Sequence, residues 1–381
     1  MSKEIVIAAV GDLLMKPLLI QMLRSGRRAV SADAFEQLFE PVVRYLQDAQ
    51  LMIGNLETTF AGGPNAGFNK TRRNPRTGNP VFKSPDAFAQ ALSAAGFDVI
   101  ATANNHCADY GVSGLKRTLD VLDKNGLVHV GTFRNAQESR TLCVRNIKGV
   151  RIGILSYTRD TNGMPVPKGQ QAGVKKLVRA RIKNDLKRLR KASEFIIVFM
   201  HCGFEYEQSP AAHQKEWVRF MFRNGADVVL GSHPHVLQPA VIRTVKDVSG
   251  RTRKRFAIYS LGNFISTRLH GKDAALTGII VRLKLRRTSG GLVRLAGIEG
   301  VPTWASIAKN GKPKMCRIVP LQEAITKPDQ FPAEQLVRMK RAYQGALRMY
   351  RGVLRFPEAH TASSEEPFED TSSSSAAGSA E

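Results

Sequence analysis

Long apolar runs are absent from this sequence. No stretch reaches the roughly 18 residues that a transmembrane helix needs, and the first apolar segment, residues 5–10, ends at Gly11-Asp12. A secretory signal peptide needs a longer apolar region and a small-residue cleavage site. We therefore interpret residues 5–10 as a buried first strand and expect a cytoplasmic protein with no transmembrane segment.

Cysteine is also scarce, with four residues in 381 and none in CxxC spacing. This scatter argues against a zinc knuckle or a disulfide framework and suits a reducing compartment. Cys107 and Cys202 each follow a histidine, but free cysteine usually packs as a small hydrophobic residue. We expect buried thiols at both positions.

Acidic residues are few compared with basic ones. The chain has 57 Lys and Arg against 32 Asp and Glu, a formal net charge of +25. Such a charge attracts polyanions, whether nucleic acid, an anionic lipid surface or an acidic polymer, and a solvated basic surface is the alternative. Aromatic residues make up only 7% of the sequence and are scattered along it. The sequence therefore shows no cluster of aromatic residues on which RNA bases could stack, as an RNA-binding module would need.

Apolar runs that are typical of buried strands alternate with helical patterns along most of the chain. Strands are predicted at residues 5–10, 51–54, 97–101, 151–157, 195–200, 227–230 and 256–260. Helices are predicted at residues 85–95, 115–124, 176–191, 211–223 and 333–350. Residues 277–297 alternate without a helix, so the α/β fold should contain mixed sheets.

Two basic segments and the C-terminus complete the organisation. The helix at 176–191 is interpreted as an amphipathic crossover helix with a solvated basic face. The Gly- and Pro-rich loop 62–80 carries Lys70, Arg72, Arg73 and Arg76, and loops of this length often bind ligands. We predict one domain over residues 1–300, a packed helical extension over 301–360 and a disordered acidic, Ser-rich tail over 361–381.

Polar side chains follow five of the predicted strands at their carboxyl ends, where open α/β sheets bind ligands. These residues are Asp12, Asn55, Glu57, Asn105, His106, Asp109, His201, His233 and His235. Two histidines separated by Pro234 in an extended segment would face the same side. Imidazole together with carboxylate suits zinc, manganese or iron better than magnesium, so we predict one or two divalent ions here.

At these residues the sequence resembles the bacterial capsule synthesis family, the CapA or poly-γ-glutamate capsule biosynthesis type, over residues 4–285. The shared motifs are Gly11-Asp12, Asn55-Leu-Glu57, Asn104-Asn-His-Cys-Ala-Asp-Tyr-Gly111, His201-Cys-Gly-Phe-Glu-Tyr206, Gly231-Ser-His-Pro-His235 and Tyr259-Ser-Leu-Gly-Asn-Phe264. The resemblance implies a calcineurin-like metallophosphoesterase fold, a four-layer α/β/β/α sandwich with two mixed sheets and a metal centre at one edge.

The resemblance also implies roles for individual residues. Asp12 and His235 would hold one metal, and Asn105, His201 and His233 the other. Glu57 would bridge them, with Asn55 as the alternative bridge. His106 would protonate the leaving group, and Asp109 would orient it. Two such ions clamp the attacking and leaving oxygens of a phosphoester.

Two departures from ordinary phosphoesterases bear on activity. Asp12 is followed by Leu13-Leu14 instead of a second ligand, and the acid that normally follows the histidine is displaced to Asp109. Either change would leave one tightly held metal, or a binding site without hydrolysis. The expected function is metal-dependent phosphoester hydrolysis, or handling of an anionic polymer, in capsule biosynthesis. The alternatives are a non-catalytic polyanion-binding accessory protein and a nucleic-acid phosphodiesterase.

Overall fold

The computed structural model describes residues 4–24, 30–62, 71–166, 171–307 and 316–357. The strands in these ranges are β1 (Ile5–Leu13), β2 (Leu51–Asn55), β3 (Arg72–Arg73), β4 (Pro80–Val81), β5 (Val99–Ala101), β6 (Val128–Val130), β7 (Thr132–Asn135), β8 (Cys143–Ile147), β9 (Val150–Thr158), β10 (Gln171–Val174), β11 (Phe195–His201), β12 (Val228–Ser232), β13 (Leu237–Lys246), β14 (Thr252–Leu261), β15 (Asn263–Ile265), β16 (Thr277–Arg287), β17 (Val293–Ile307) and β18 (Cys316–Pro320).

The α-helices in the same ranges are α1 (Pro17–Arg24), α2 (Ala32–Phe39), α3 (Val43–Gln47), α4 (Ala87–Ala94), α5 (Gly111–Lys124), α6 (Ala136–Arg140), α7 (Arg179–Ala192), α8 (Ala212–Arg223), α9 (Leu321–Ala324) and α10 (Ala333–Met349). Short 3-10 helices lie at Glu40–Val42, Asp273–Leu276 and Pro328–Gln330. None of the described helices is both long enough and apolar enough to span a bilayer.

The first sheet is mixed and has the order β18-β17-β16-β1-β2-β5-β6, with β15 paired to β1. Strands β1, β2, β5 and β6 are parallel, whereas β16, β17 and β18 add antiparallel to one side. The parallel strands are connected through helices, as parallel connections require. Their carboxyl ends therefore lie at one edge of the sheet.

The second sheet is also mixed, with the order β13-β14-β12-β11-β9-β8. Its four central strands are parallel, and β13 and β8 pair antiparallel at its two sides. Two small ribbons, β10 with β7 and β3 with β4, lie outside these sheets. The alternating antiparallel pattern expected for residues 277–297 corresponds to β16 and β17.

Three apolar layers explain how these sheets stack. Ile7 and Ile53 of the first sheet meet Ile197 and Phe256 of the second in one buried cluster. Alternate residues of β1, such as Ala8, point away from that cluster into another one formed with α2, α4 and α5. Helices α7 and α8 cover the outer face of the second sheet. This arrangement confirms the expected four-layer α/β/β/α sandwich with two mixed sheets.

The C-terminal part is joined to the first sheet more closely than the sequence suggested. The boundary expected at residue 300 falls inside β17, and β18 continues the same sheet, because the hydrogen-bonded ladder runs across that position. Residues 301–307 and 316–357 thus carry strands as well as α9 and α10. The tail predicted over 361–381 lies outside the described residues, and the domain division as a whole stays a prediction.

Candidate metal centre

The strand register brings the first set of polar residues side by side. Asp12 on β1 is the Cα partner of both Asn55 on β2 and Asn263 on β15. A register shift between Val10 and Asp12 marks an irregularity in β1, and such bulges often redirect a side chain at a functional site. In the second sheet, His201 at the end of β11 pairs with Ser232 at the end of β12. The two carboxyl edges then face one another across Glu57.

Glu57 is fully buried, and neither of its carboxylate oxygens has a hydrogen-bond partner among the described residues. Burial, with a smaller contribution from the Asp12 carboxylate, raises the pKa of Glu57 well above its usual range. Its Oε1 lies 3.4 Å from His201 Nε2, and its Oε2 lies 3.7 Å from His235 Nδ1. An ionised buried carboxylate without donors is costly, so this position suits a bound cation.

Two sets of potential ligand atoms share Glu57. One consists of Glu57, His201 and His233, and the other of Asp12, Glu57 and His235, with the ligand atoms of each set within 4.8 Å of one another. This is the division implied by the family resemblance, with Glu57 between two ion positions. Metal ligation by these residues stays a prediction, although the geometry brings all of them together.

His201 and His233 are hydrogen-bonded neighbours, with His233 Nδ1 3.2 Å from His201 Nε2. Burial is the largest cause that lowers the pKa of each ring to about 3, and neighbouring histidines add to it. His201 Nδ1 lies 2.9 Å from the Ser232 hydroxyl, and its Nε2 faces Asn105, His233 and Glu57. Both imidazoles are thus neutral near pH 7, the state in which histidine binds metal.

His235 has a different electrostatic environment. Burial lowers its pKa, but Glu57 and Asp12 outweigh that effect and raise the pKa to about 10. Its Nδ1 lies 3.3 Å from Asp12 Oδ2 and 3.0 Å from Asn263 Oδ1. Burial would raise the Asp12 pKa, but His235, His201 and Asn55 lower it overall. Asn263 was not among the predicted site residues, although it lies in a motif that carries the resemblance.

Asn55 and Asn105 act on the ligands in different ways. Asn55 Nδ2 donates a 2.7 Å hydrogen bond to Asp12 Oδ1 and so orients that carboxylate; its role as the alternative bridging ligand stays a prediction. The Asn105 carbonyl oxygen lies 2.8 Å from His201 Nε2, and its amide donates to Asn162. The preceding Asn104, which the sequence analysis did not assign, donates to the Leu56 carbonyl and accepts from the His106 amide.

His106 and Asp109 form a buried pair beside these ligands. His106 Nδ1 lies 2.8 Å from Asp109 Oδ2, which also accepts a 2.7 Å hydrogen bond from the Phe82 amide. Burial lowers the pKa of His106, but Asp109 outweighs it and the net pKa is raised. Burial raises the pKa of Asp109. Because Nδ1 is held by Asp109, Nε2 is the ring nitrogen available for proton transfer.

The expectation of an extended segment at His233 and His235 is wrong. His233 has φ of 99° and His235 has φ of 60°, so both occupy the region of positive φ that residues other than glycine rarely adopt. The two rings still converge, with centroids 6.2 Å apart, through local turns and not through strand alternation. Strained backbone of this kind is typical of functional sites.

The donor set fits a divalent transition metal. Two neutral imidazoles, one carboxylate without hydrogen-bond donors and a second carboxylate offer nitrogen and oxygen ligands in one buried position. Zinc, manganese and iron accept such mixed ligands, whereas magnesium prefers oxygen and water. The ligand types thus support the predicted divalent metal, and they fit zinc, manganese and iron equally well.

Solved structures were compared with the whole chain. The calcineurin-like phosphoesterase YfkN from Bacillus subtilis has a TM-score of 0.46 at 14% identity, covering 91% of this chain and 99% of that one. A 5'-nucleotidase precursor from Thermus thermophilus has a TM-score of 0.43 at 14% identity, covering 91% and 59%. At these scores neither similarity carries an argument about this chain.

Relatives by sequence include two Bacillus proteins. "Capsule biosynthesis protein CapA" of Bacillus anthracis is 26% identical over 284 residues, which is 72% of this chain and 63% of that protein. "PGA biosynthesis protein CapA" of Bacillus subtilis (strain 168) is 26% identical over 280 residues, 70% and 65% respectively. This chain thus matches less than two thirds of the length of either relative. Residues 6–268 match the family model of the bacterial capsule synthesis protein PGA_cap, and because this match spans more than half of the chain, the protein belongs to that family.

Proposed function

We propose that this chain is a metal-dependent phosphoester hydrolase that acts on an anionic substrate in the biosynthesis of a capsule-type polymer. The observation that carries the proposal is the buried Glu57 carboxylate, which lacks a hydrogen-bond donor among the described residues and is shared between two histidine-containing ligand sets. The His106–Asp109 pair beside it supplies a proton donor at the same edge of the sheets.

The residues that would hold the metal are Asp12, Glu57 and His235 in one set and Glu57, His201 and His233 in the other. Asn105 and Asn55 would complete or orient these sets through the contacts described above. A divalent ion in such a position supplies Lewis acidity and a means of activating water near neutral pH.

His106 is the proposed general acid. Its Nδ1 is paired with Asp109, so the imidazole is held in one orientation with Nε2 free to donate a proton to a leaving-group oxygen. Asp109 also raises the pKa of His106, which keeps the donor form populated at higher pH than for an ordinary histidine. Protonation of the leaving group by a positioned histidine is a common contribution to phosphoester and acyl chemistry.

Two lysine–aromatic pairs flank the centre and favour an anionic substrate. The Phe82 ring packs 4.5 Å from His106, with Lys16 Nζ 5.9 Å from the Phe82 centroid. The Tyr206 ring lies 6.0 Å from His235, with Lys272 Nζ 5.0 Å from the Tyr206 centroid. Cations placed on both sides of a metal centre raise the local concentration of anions.

The polymer is proposed from the relatives' names, which refer to capsule and PGA biosynthesis. The cytoplasmic location expected from the sequence also stays a proposal. It is supported by the four cysteines, which are all free thiols, as is usual in a reducing compartment.

A non-catalytic accessory that binds polyanions is the second candidate. It is favoured by the β3–β4 ribbon, whose Arg72 and Arg73 are exposed and which leads directly through Val81 to Phe82 beside His106. In this case the metal centre would hold the polymer without cleaving it.

A phosphoesterase panel separates the two candidates. The metal-free protein would be loaded in turn with zinc, manganese and iron(II) and assayed on phosphomonoesters and phosphodiesters with good leaving groups. Metal-dependent turnover that is lost in His233→Ala/His235→Ala but kept in His129→Ala/His213→Ala would support hydrolysis, since the second pair removes two histidines outside the ligand sets. Binding of polyglutamate without turnover on any substrate would favour the accessory role. Competition between polyglutamate and nucleic acid would test the nucleic-acid alternative.

A further inference from the structure

A cavity of about 490 Å³ lies between the C-terminal helix α10, the 3-10 helix Asp273–Leu276 and strands β16 and β17. Three arginines of α10 line it, namely Arg338, Arg341 and Arg348. Trp304 of β17 forms part of its apolar wall. None of the residues assigned to the metal centre lines this cavity, so it is a separate feature of the fold.

The surrounding protein neutralises only part of the positive charge of this cavity. Asp273 is the one acid in its lining, and it pairs with Arg338 at 3.2 Å and with Arg268 at 3.0 Å. Within the described part of the chain, no carboxylate lies within 4.0 Å of Arg341 or Arg348. Both side chains are exposed, so two solvated arginines border the cavity without a structural counter-ion.

Two buried donors in the lining also lack partners. Thr277 is only 5% exposed, and its hydroxyl has no hydrogen-bond partner among the residues that the structure describes. The Nε of Arg338 is buried and unpartnered in the same sense. Buried polar atoms are nearly always hydrogen-bonded in native proteins, and what these two donors lack is an acceptor.

The cavity also has room for an apolar group. A Cβ added at Gly345 of α10 would meet no atom within 4 Å, although glycine within a helix is less stable than alanine. Trp304, Ala342 and Met349 contribute apolar surface around the same space. Alanine at position 345 would stabilise the helix, yet the chain has glycine there. The space next to the arginines therefore stays open.

From these observations we propose that the α10 cavity binds an organic anion. Its carboxylate or phosphate group would pair with the arginine guanidinium groups, which match both anions in a planar fork. Its apolar part would pack against the half-buried Ala342 and Met349 of the same lining. The site is close to the metal centre, since Asn263 contacts His235 and also donates to the Ala275 carbonyl of the 3-10 helix.

Trp304 provides a direct reporter of occupancy. The chain has two tryptophans, and Trp217 lies on α8 outside the cavity lining. In Trp217→Phe, Trp304 emission would be titrated with glutarate, phenylphosphonate and inorganic phosphate. We expect a saturable change in Trp304 emission with glutarate or phenylphosphonate. Tighter binding of glutarate would indicate a carboxylate ligand, and tighter binding of phenylphosphonate would indicate a phosphate-type ligand. Inorganic phosphate should bind more weakly because it has no apolar part.

Matched variants test whether the arginines and the open volume are responsible. Arg341→Gln/Arg348→Gln should weaken binding by about tenfold or more, because each removes a charge-assisted contact. Lys340→Gln/Arg351→Gln removes the same charge from exposed residues outside the lining and should change affinity by less than about twofold. Gly345→Leu should fill the volume and abolish binding of phenylphosphonate.

The test of this cavity is independent of the test of the metal centre. His233→Ala/His235→Ala should leave the Trp304 titration unchanged, and the arginine variant should keep its metal and its circular dichroism spectrum. Absence of a saturable signal with all three probes would overturn the proposal. Equal loss of affinity in the two charge variants would overturn it as well, since that result indicates general attraction of anions and not a site.

Discussion

At the scale of single residues, the chemistry of this protein is concentrated in side chains that the sequence places after strands. His106 illustrates how a local contact assigns a role. The Asp109 carboxylate holds its Nδ1, and Phe82 packs against the ring. His106 lies outside both ligand sets, so it can act on the leaving group without holding the ion.

Substitution of His106 should therefore separate metal binding from turnover. His106→Asn should retain the metal content of the unmodified protein but lower kcat by about 10²–10⁴, the usual contribution of a general acid. The loss should be largest for substrates with poor leaving groups, because these need protonation most. Asp109→Asn should show a smaller loss of the same kind. Unchanged kcat on a poor leaving group in His106→Asn would remove this residue from the mechanism.

That these polar side chains come together could be predicted from sequence, because the ends of strands can be recognised in the apolar pattern. Asp12, His201 and their counterparts each follow a predicted strand, and parallel order brings such ends to one edge. The conformation of His233 and His235 could not be predicted, because positive φ at residues other than glycine has no compositional signal. Asn263 was missed because its role depends on pairing of β15 with β1, which is a tertiary contact.

At the scale of elements, close approach of β1 to the segment after β14 fixes the position of Asp12. The Asp12 amide donates to the Gly262 carbonyl at 3.0 Å. A Cβ at Gly11 would lie 2.0 Å from that carbonyl oxygen. Only glycine fits there without movement of backbone, so the Gly11-Asp12 motif is a packing requirement as well as a candidate ligand position.

Gly11→Ala should therefore destabilise the protein and disturb the metal centre together. We expect a loss of about 2–4 kcal/mol in the free energy of unfolding, because the clash is with backbone and not with a flexible side chain. Urea denaturation would measure it. Gly345→Ala is the matched control and should stabilise by about 0.5–1 kcal/mol, since its Cβ meets open space in a helix. Equal stability of Gly11→Ala and the unmodified protein would contradict the packing argument.

Element types were predictable where apolar periodicity was strong. Helix α7 buries Ile182, Leu186 and Leu189 while Lys183 and Lys187 are exposed, as expected for an amphipathic crossover helix. The partition of strands between two sheets could not be predicted, because many central strands, such as β11 and β12, are buried on both faces. Residue 300 lies inside β17, which pairs with both β16 and β18, and this pairing is a tertiary contact.

At the scale of the whole molecule, the main feature is the net charge of +25, which would attract a polyanion. The β3–β4 ribbon carries exposed arginines and leads to Phe82 beside His106, whereas α7 covers the outer face of the second sheet. If charge recruits a polyanion to the centre, the ribbon should matter more than the helix.

This difference can be measured with two matched variants. Arg72→Ser/Arg73→Ser/Arg76→Ser should weaken binding of polyglutamate and flatten its salt dependence, because fewer condensed counterions are released. Lys183→Ser/Lys187→Ser/Lys191→Ser removes the same charge from α7 and should have a smaller effect on both quantities. Lys70, which was predicted to belong to the same loop, lies outside the described residues. Identical affinities and salt slopes for the two variants would exclude the ribbon as a docking element.

The claim on which this account depends is that the two sheet edges form one metal centre. The most direct measurement is the metal content, by mass spectrometry, of protein loaded with zinc, manganese or iron(II) and then freed of excess ion. We predict one or two ions per chain in the unmodified protein and loss of stoichiometric metal in His233→Ala/His235→Ala, with His129→Ala/His213→Ala unchanged. Full metal content in the first variant, or no bound ion in the unmodified protein, would contradict the assignment.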